Sequence, residues 1–125
     1  MTRNRSAPNW QRWGSSFCLF PVRMKAILID PEHRSIEYVE TPLELPDIYR
    51  LIGADTFDAC RPFRGLREIA FVDDFGAYKP LARFTVSGFQ YPLFGKTLVC
   101  GFNDAGTEVS TNLTIEQIHD LIEFE

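Results

Sequence analysis

Three arginines fall within seven residues, at Arg61, Arg64 and Arg67, and acids bracket them at Asp55 and Asp58 before and at Asp73 and Asp74 after. Guanidinium groups grip phosphates and carboxylates through paired N–H donors. With Phe63 and Phe71 nearby they can also stack on bases. Gathered carboxylates can hold a divalent cation or, with one pKa raised, serve as general acid or base. Asp58, Arg61, Arg64, Arg67 and Asp73 therefore form the candidate ligand-binding set. A plainer reading stands beside it. Asp73 and Asp74 are turn formers, Asp55 caps the entry to a strand, and the arginines occupy a solvated turn with one salt bridge to a neighbouring aspartate.

Other chemistries find less support. Cys18, Cys60 and Cys100 are odd in number and include no C-x-x-C pair. Cys60 and Cys100 lie in apolar strand-like runs and are expected to be buried free thiols in a reducing compartment. His33 and His119 are isolated, and a zinc site needs clustered ligands, so no metal or cofactor is expected. No G-x-S-x-G is present and neither histidine has an evident partner, which leaves no catalytic residues to assign. Gly95-Lys96-Thr97 imitates the tail of a phosphate-binding P-loop. However, six residues separate Gly88 from Gly95 where the pattern needs four, and a strand is expected to follow rather than a helix.

Charge divides the chain. The first 23 residues hold Arg3, Arg5, Arg12 and Arg23 and no acid, whereas all 17 acids lie from Met24 onward against the 9 remaining bases. A formal net charge of −4 thus combines a +4 segment with a −8 body. Residues 1–23 are expected to be a basic extension, either a disordered arm or a product of start-site choice, with the second preferred. The apolar run Phe17–Val22 spans six residues and contains Pro21, short of a secretory or membrane-spanning segment. A cytoplasmic location and no membrane contact are expected. The body of about 100 residues is one domain, large enough to bury a core unaided. Most of the 11 phenylalanines belong in that core.

The elements that must position the candidate residues are readable in part. Ala26–Asp30 and the alternating Ser35–Glu40 form a hairpin, with one face on the core. Leu45, Ile48, Leu51 and Ile52 make a short helical stripe that starts near Pro46 and ends at Gly53. Thr56–Arg61 and Glu68–Val72 are strands, and Asp73–Gly76 is a turn in which Gly76 takes positive φ. Tyr78–Phe94 is a long loop around a possible strand at Phe84–Val86. The apolar run Thr97–Phe102 suits a central strand covered on both faces. Thr114 and Gln117 form a capping box, Leu113 and Ile118 a hydrophobic staple, and Ile115, Ile118, Leu121 and Ile122 a buried helical stripe. The fold class is α+β: a small single domain with a mixed, mostly antiparallel sheet of about five strands and two helices.

Several short motifs occur in a fixed order. They are Met24-Lys25-Ala26-Ile27-Leu28-Ile29-Asp30-Pro31, Ile52-Gly53-Ala54-Asp55-Thr56-Phe57-Asp58, Phe71-Val72-Asp73-Asp74-x-Gly76, Pro92-Leu93-x-Gly95-Lys96-x-Leu98-Val99-x-Gly101 and Leu113-Thr114-Ile115-Glu116-Gln117-Ile118. Together they resemble the domain-of-unknown-function 3846 family, common on phages and bacterial mobile elements, over about residues 24–124. The resemblance implies no activity and no site residues.

Three functions are weighed. The first is a non-catalytic accessory or regulatory protein of a phage or mobile element, binding a host or phage protein or a small ligand. A −8 body repels phosphate backbones and favours basic protein surfaces, and could block a nucleic-acid-binding partner by charge mimicry. The second is a small enzyme or ligand-binding domain for a phosphorylated or nucleotide-like molecule, using Arg61, Arg64 or Arg67 with Asp58 or Asp73. Its mark would be one cleft joining those groups. The third, nucleic-acid binding through the basic extension of residues 1–23 with Trp10 and Trp13, is disfavoured by the charge of the body. Oligomeric state is not readable.

Overall fold

The computed structural model describes residues 23–125. All of the expected 1–23 extension except Arg23 lies outside the described residues. Strands β1 (Met24–Asp30) and β2 (Ser35–Thr41) form the first hairpin. Helix α1 (Leu45–Ile52) follows, then β3 (Phe57–Cys60) and β4 (Ile69–Asp73). After a 3-10 turn at Gly76–Tyr78 come β5 (Arg83–Val86), β6 (Leu93–Phe94), β7 (Thr97–Phe102) and β8 (Glu108–Val109). Helix α2 (Ile115–Leu121) and β9 (Ile122–Phe124) complete the order. The main sheet runs β2-β1-β7-β4-β3 with β8 added on β7, and a second sheet runs β6-β5-β9. Every pairing is antiparallel. Among the described residues the α+β class with two α-helices therefore holds, and the strands divide into two antiparallel sheets instead of one mixed sheet.

Strand alternation sorts the core into two layers. Ala26 and Leu28 of β1, Leu98 and Cys100 of β7 and Phe71 of β4 face α1, where Ile48 and Ile52 meet them. Ile27 and Ile29, Val99 and Ala70 face the other way. There they join Phe84, Val86 and Leu93 of the second sheet and Leu113 and Ile118 at α2. Because both faces are covered, β1 and β7 carry near-continuous apolar runs although the sheet is antiparallel. The central placement of β7 matches its sequence. The hairpin has no single core face: Ile36 packs on one layer and Val39 on the other.

Local signals explain both helices. The carbonyl of Glu44 accepts the first amides of α1, and the Asp47 carboxylate accepts the Glu44 N–H at 3.3 Å. Pro46 sits in the first turn, where a missing donor costs nothing. Gly53 closes the helix at φ +68°. At α2, the Gln117 N–H donates to Thr114 Oγ1 at 3.1 Å, and the Thr114 N–H donates to Gln117 Oε1 at 2.8 Å. Thr114→Ala is therefore expected to cost about 1 kcal/mol and to lower Tm by roughly 4 °C, as read by calorimetry.

Two local expectations are corrected. Ile122 does not extend α2. The chain turns extended there (φ −121°, ψ 162°) and pairs with β5. Gly76 has no positive φ. It is buried, and a Cβ there would lie 3.1 Å from the Phe94 Cβ and 3.2 Å from the Phe94 carbonyl oxygen. Close approach of β6, rather than turn geometry, is what crowds a side chain at this position.

Candidate functional site

The loop between β3 and β4 is pinned before it presents its charges. Pro62 is fully buried and Phe63 is 2% exposed, packed with Ile27, Ile29 and Phe84. A turn follows, with Leu66 N–H donating to the Phe63 carbonyl at 3.1 Å and Gly65 at φ +77°. Arg61 and Arg64 flank this buried pair. The stem of Arg64 lies over Gly88, where a Cβ would come within 3.0 Å of the Arg64 Cδ. Such anchoring lowers the conformational cost of fixing a guanidinium on a ligand. Arg61, Phe63, Arg64, Gly65, Leu66 and Arg67 line one open concavity of about 470 Å³. Arg67 pairs with Asp104, whereas no carboxylate lies within 4 Å of Arg61 or Arg64 among the described residues.

The aspartates are placed elsewhere. β3 and β4 are neighbours, as expected, with Phe57 opposite Asp73 and Cys60 opposite Ala70. Asp73 thus sits at the end of the hairpin remote from the arginine loop, a separation of roughly 10 Å at 3.3 Å per residue. Asp58 projects to the opposite face from Asp73, because alternate residues change sides. The exposed Asp58 carboxylate accepts the Ala59 N–H at 2.9 Å. Asp55 and Asp74 are exposed. The three arginines come together, and the aspartates do not join them.

Asp73 holds the turn after β4. Its carboxylate accepts the Phe75 N–H at 2.9 Å and the Lys79 ammonium at 2.6 Å. Burial pushes its pKa up, but the Lys79 hydrogen bond and charge, with the Phe75 amide, outweigh burial and hold it below the usual carboxylate value. A depressed folded pKa gives stability that is present above the unfolded value near 3.9 and is lost as pH falls through the folded one. Asp73→Asn should lose about 1 kcal/mol at pH 7, a modest effect because Lys79 is 43% exposed and screened. The difference from wild type should shrink below pH 4 in urea titrations.

Neither described thiol is a nucleophile at neutral pH. Cys100 is fully buried and burial raises its pKa; Cys60 is half-buried, and burial with the nearby Asp58 charge pushes it up to about 11. His33 Nδ1 lies 2.8 Å from Asp30 Oδ2 in the β1–β2 turn, remote in sequence from the arginines. Among the described residues no three His, Cys, Asp or Glu side chains gather as a metal site, and no helix is long and apolar enough to cross a membrane.

A second concavity, of about 380 Å³, adjoins the first through Arg67. It is lined by Arg67, Glu68, Asp104, the end of β7 and the segment after β8. Sequence reasoning took Glu68 only as the first residue of a strand. It is 6% exposed, and its Oε2 accepts the Thr111 hydroxyl at 3.0 Å and the Asn112 N–H at 3.3 Å. Those partners lie more than forty residues away, so the only local hint was a carboxylate set directly before the apolar run of β4.

The family model described as Domain of unknown function (DUF3846) matches residues 24–124. The chain belongs to that family. The DUF3846 match spans every strand and helix from β1 to β9. No curated protein and no solved structure matches the chain.

Proposed function

We propose that this DUF3846 domain is a non-catalytic binding protein that takes an anionic group, phosphate or carboxylate, on the β3–β4 loop. The observation that carries the reading is the state of Arg61 and Arg64. Both flank the buried Pro62-Phe63 pair, both line one concavity, and neither has a carboxylate partner among the described residues. Unpaired guanidiniums on a fixed loop suit bidentate contact with a planar or tetrahedral anion. The aspartates that an acid–base reaction would recruit sit at the other end of the hairpin, which favours binding over catalysis. We place the domain in the cytoplasm, as an accessory or regulatory protein of a phage or mobile element.

The test is calorimetric titration with pyrophosphate and with citrate. Binding that weakens with salt, and that falls at least tenfold in the Arg61→Ala/Arg64→Ala double variant, supports the reading. Absence of binding by both anions, or full affinity in the double variant, overturns it.

A second reading rests on the −8 body and on exposed Glu37 and Glu40 along the outer strand β2. These suit a basic protein partner, captured at low salt and released at high salt.

A further inference from the structure

Glu68 is a buried carboxylate with half of its hydrogen-bonding capacity unused. Both bonds that it accepts go to Oε2. Among the described residues Oε1 has no hydrogen-bond donor, and no cationic group lies within 4 Å of the carboxylate. An ionised carboxylate offers about four acceptor positions, and a buried charge without a partner is costly. Glu68 lines the 380 Å³ concavity, a space that a ligand can enter. Asp104, exposed on the rim, is already paired with Arg67, which leaves Glu68 as the unpaired acid there.

This acidic concavity and the arginine concavity share Arg67. One wall is therefore cationic, from Arg61 and Arg64, and the adjoining one carries the unpaired carboxylate of Glu68. A simple anion satisfies only the first. A molecule with an anionic group at one end and a protonated amine at the other satisfies both, and its amine supplies the donor that Glu68 Oε1 lacks.

We infer that the ligand is a small zwitterion whose phosphate or carboxylate sits on Arg61 and Arg64 and whose ammonium is received by Glu68. This rests on the anion-binding reading above and narrows its ligand class. The ammonium makes a charge-assisted hydrogen bond in a partly desolvated site, where such bonds are strongest. Arg67, already paired with Asp104, lies at the junction of the two concavities.

The experiment compares ω-aminoalkyl phosphates of two to six carbons with alkyl phosphates of the same lengths, titrated calorimetrically into the full chain. At the best length the amine should improve affinity at least tenfold. Glu68→Gln should abolish that preference, because glutamine keeps an acceptor for Thr111 but carries no charge for the amine. Arg61→Ala/Arg64→Ala should weaken both series. In the wild-type protein the 13C resonance of the Glu68 carboxyl carbon should move with the aminoalkyl phosphate and not with the alkyl one, a readout that survives if Glu68→Gln fails to fold. Equal affinity of the two series at every length, a preference that persists in Glu68→Gln, or an unmoved Glu68 resonance overturns the zwitterion while leaving anion binding intact. No binding in either series overturns both.

Discussion

Replacing Phe84 by alanine should remove roughly 3–5 kcal/mol of stability, a large share of the 5–15 kcal/mol that holds a small domain together. Phe84 is fully buried on β5, the middle strand of the second sheet. Its ring packs edge-on to Phe124 at 6.3 Å and belongs to the layer formed by Ile27, Ile29 and Val99 of the main sheet. Truncation loses this transfer energy and leaves a void that neighbours on two sheets cannot close together. Phe63, the peg under the arginine loop, packs in the same layer. Loss of Phe84 should therefore loosen the candidate site as well as the core. Urea unfolding measures the first effect, and pyrophosphate affinity in the folded fraction measures the second. A change in stability below about 1 kcal/mol would show that the second sheet is not docked on the first.

The second large effect should come from Gly101→Ala. Its φ is not in the positive range, so the penalty is one of space rather than dihedral angle. A Cβ at this position would lie 2.6 Å from the Ser110 carbonyl oxygen, 3.1 Å from Val109 Cγ2 and 3.2 Å from the Val109 carbonyl oxygen. Two of those three atoms are backbone and cannot rotate away. The pairing of β7 with β8, Gly101 opposite Val109, must open. We expect a loss of about 2–3 kcal/mol, with amide exchange accelerated from Thr107 to Asn112. Displacing this segment also moves Thr111 and the Asn112 amide, which hold Glu68. Any amine preference should fall with the stability. Unchanged exchange across Thr107–Asn112 would mean that β8 does not approach β7 this closely.

What the sequence discloses and what it hides divides along one physical line. Thr114 with Gln117, and Gly53 after Ile52, are signals within one turn of the helix they bound, and both were legible. The run Thr97–Phe102 was legible as a covered strand because each of its residues reports its own burial. Ile122 was misread because its spacing continues the stripe of α2, while its true partner, Val86, lies far back in the sequence on the neighbouring strand of the same sheet. Gly76 was misread because composition suggested a turn, whereas the approach of Phe94 is the cause. The arginine cluster was visible as three neighbours in sequence. Its separation from Asp73 was not, since register and strand alternation decide it. Glu68 was hidden for the same reason: nothing near it in sequence tells that Thr111 and Asn112 will bind one of its oxygens and leave the other open.

The order β2-β1-β7-β4-β3 has a consequence for synthesis on the ribosome. Both flanking hairpins emerge early, yet the strand that joins them is made only after Phe94. Until Phe102 clears the exit tunnel, β1 and β4 each present a bare, apolar strand edge with no mate. Such a nascent chain depends on holding a slot open rather than on zipping from one end. Conditions that delay the docking of β7 into its slot should therefore raise the chain's demand for chaperones.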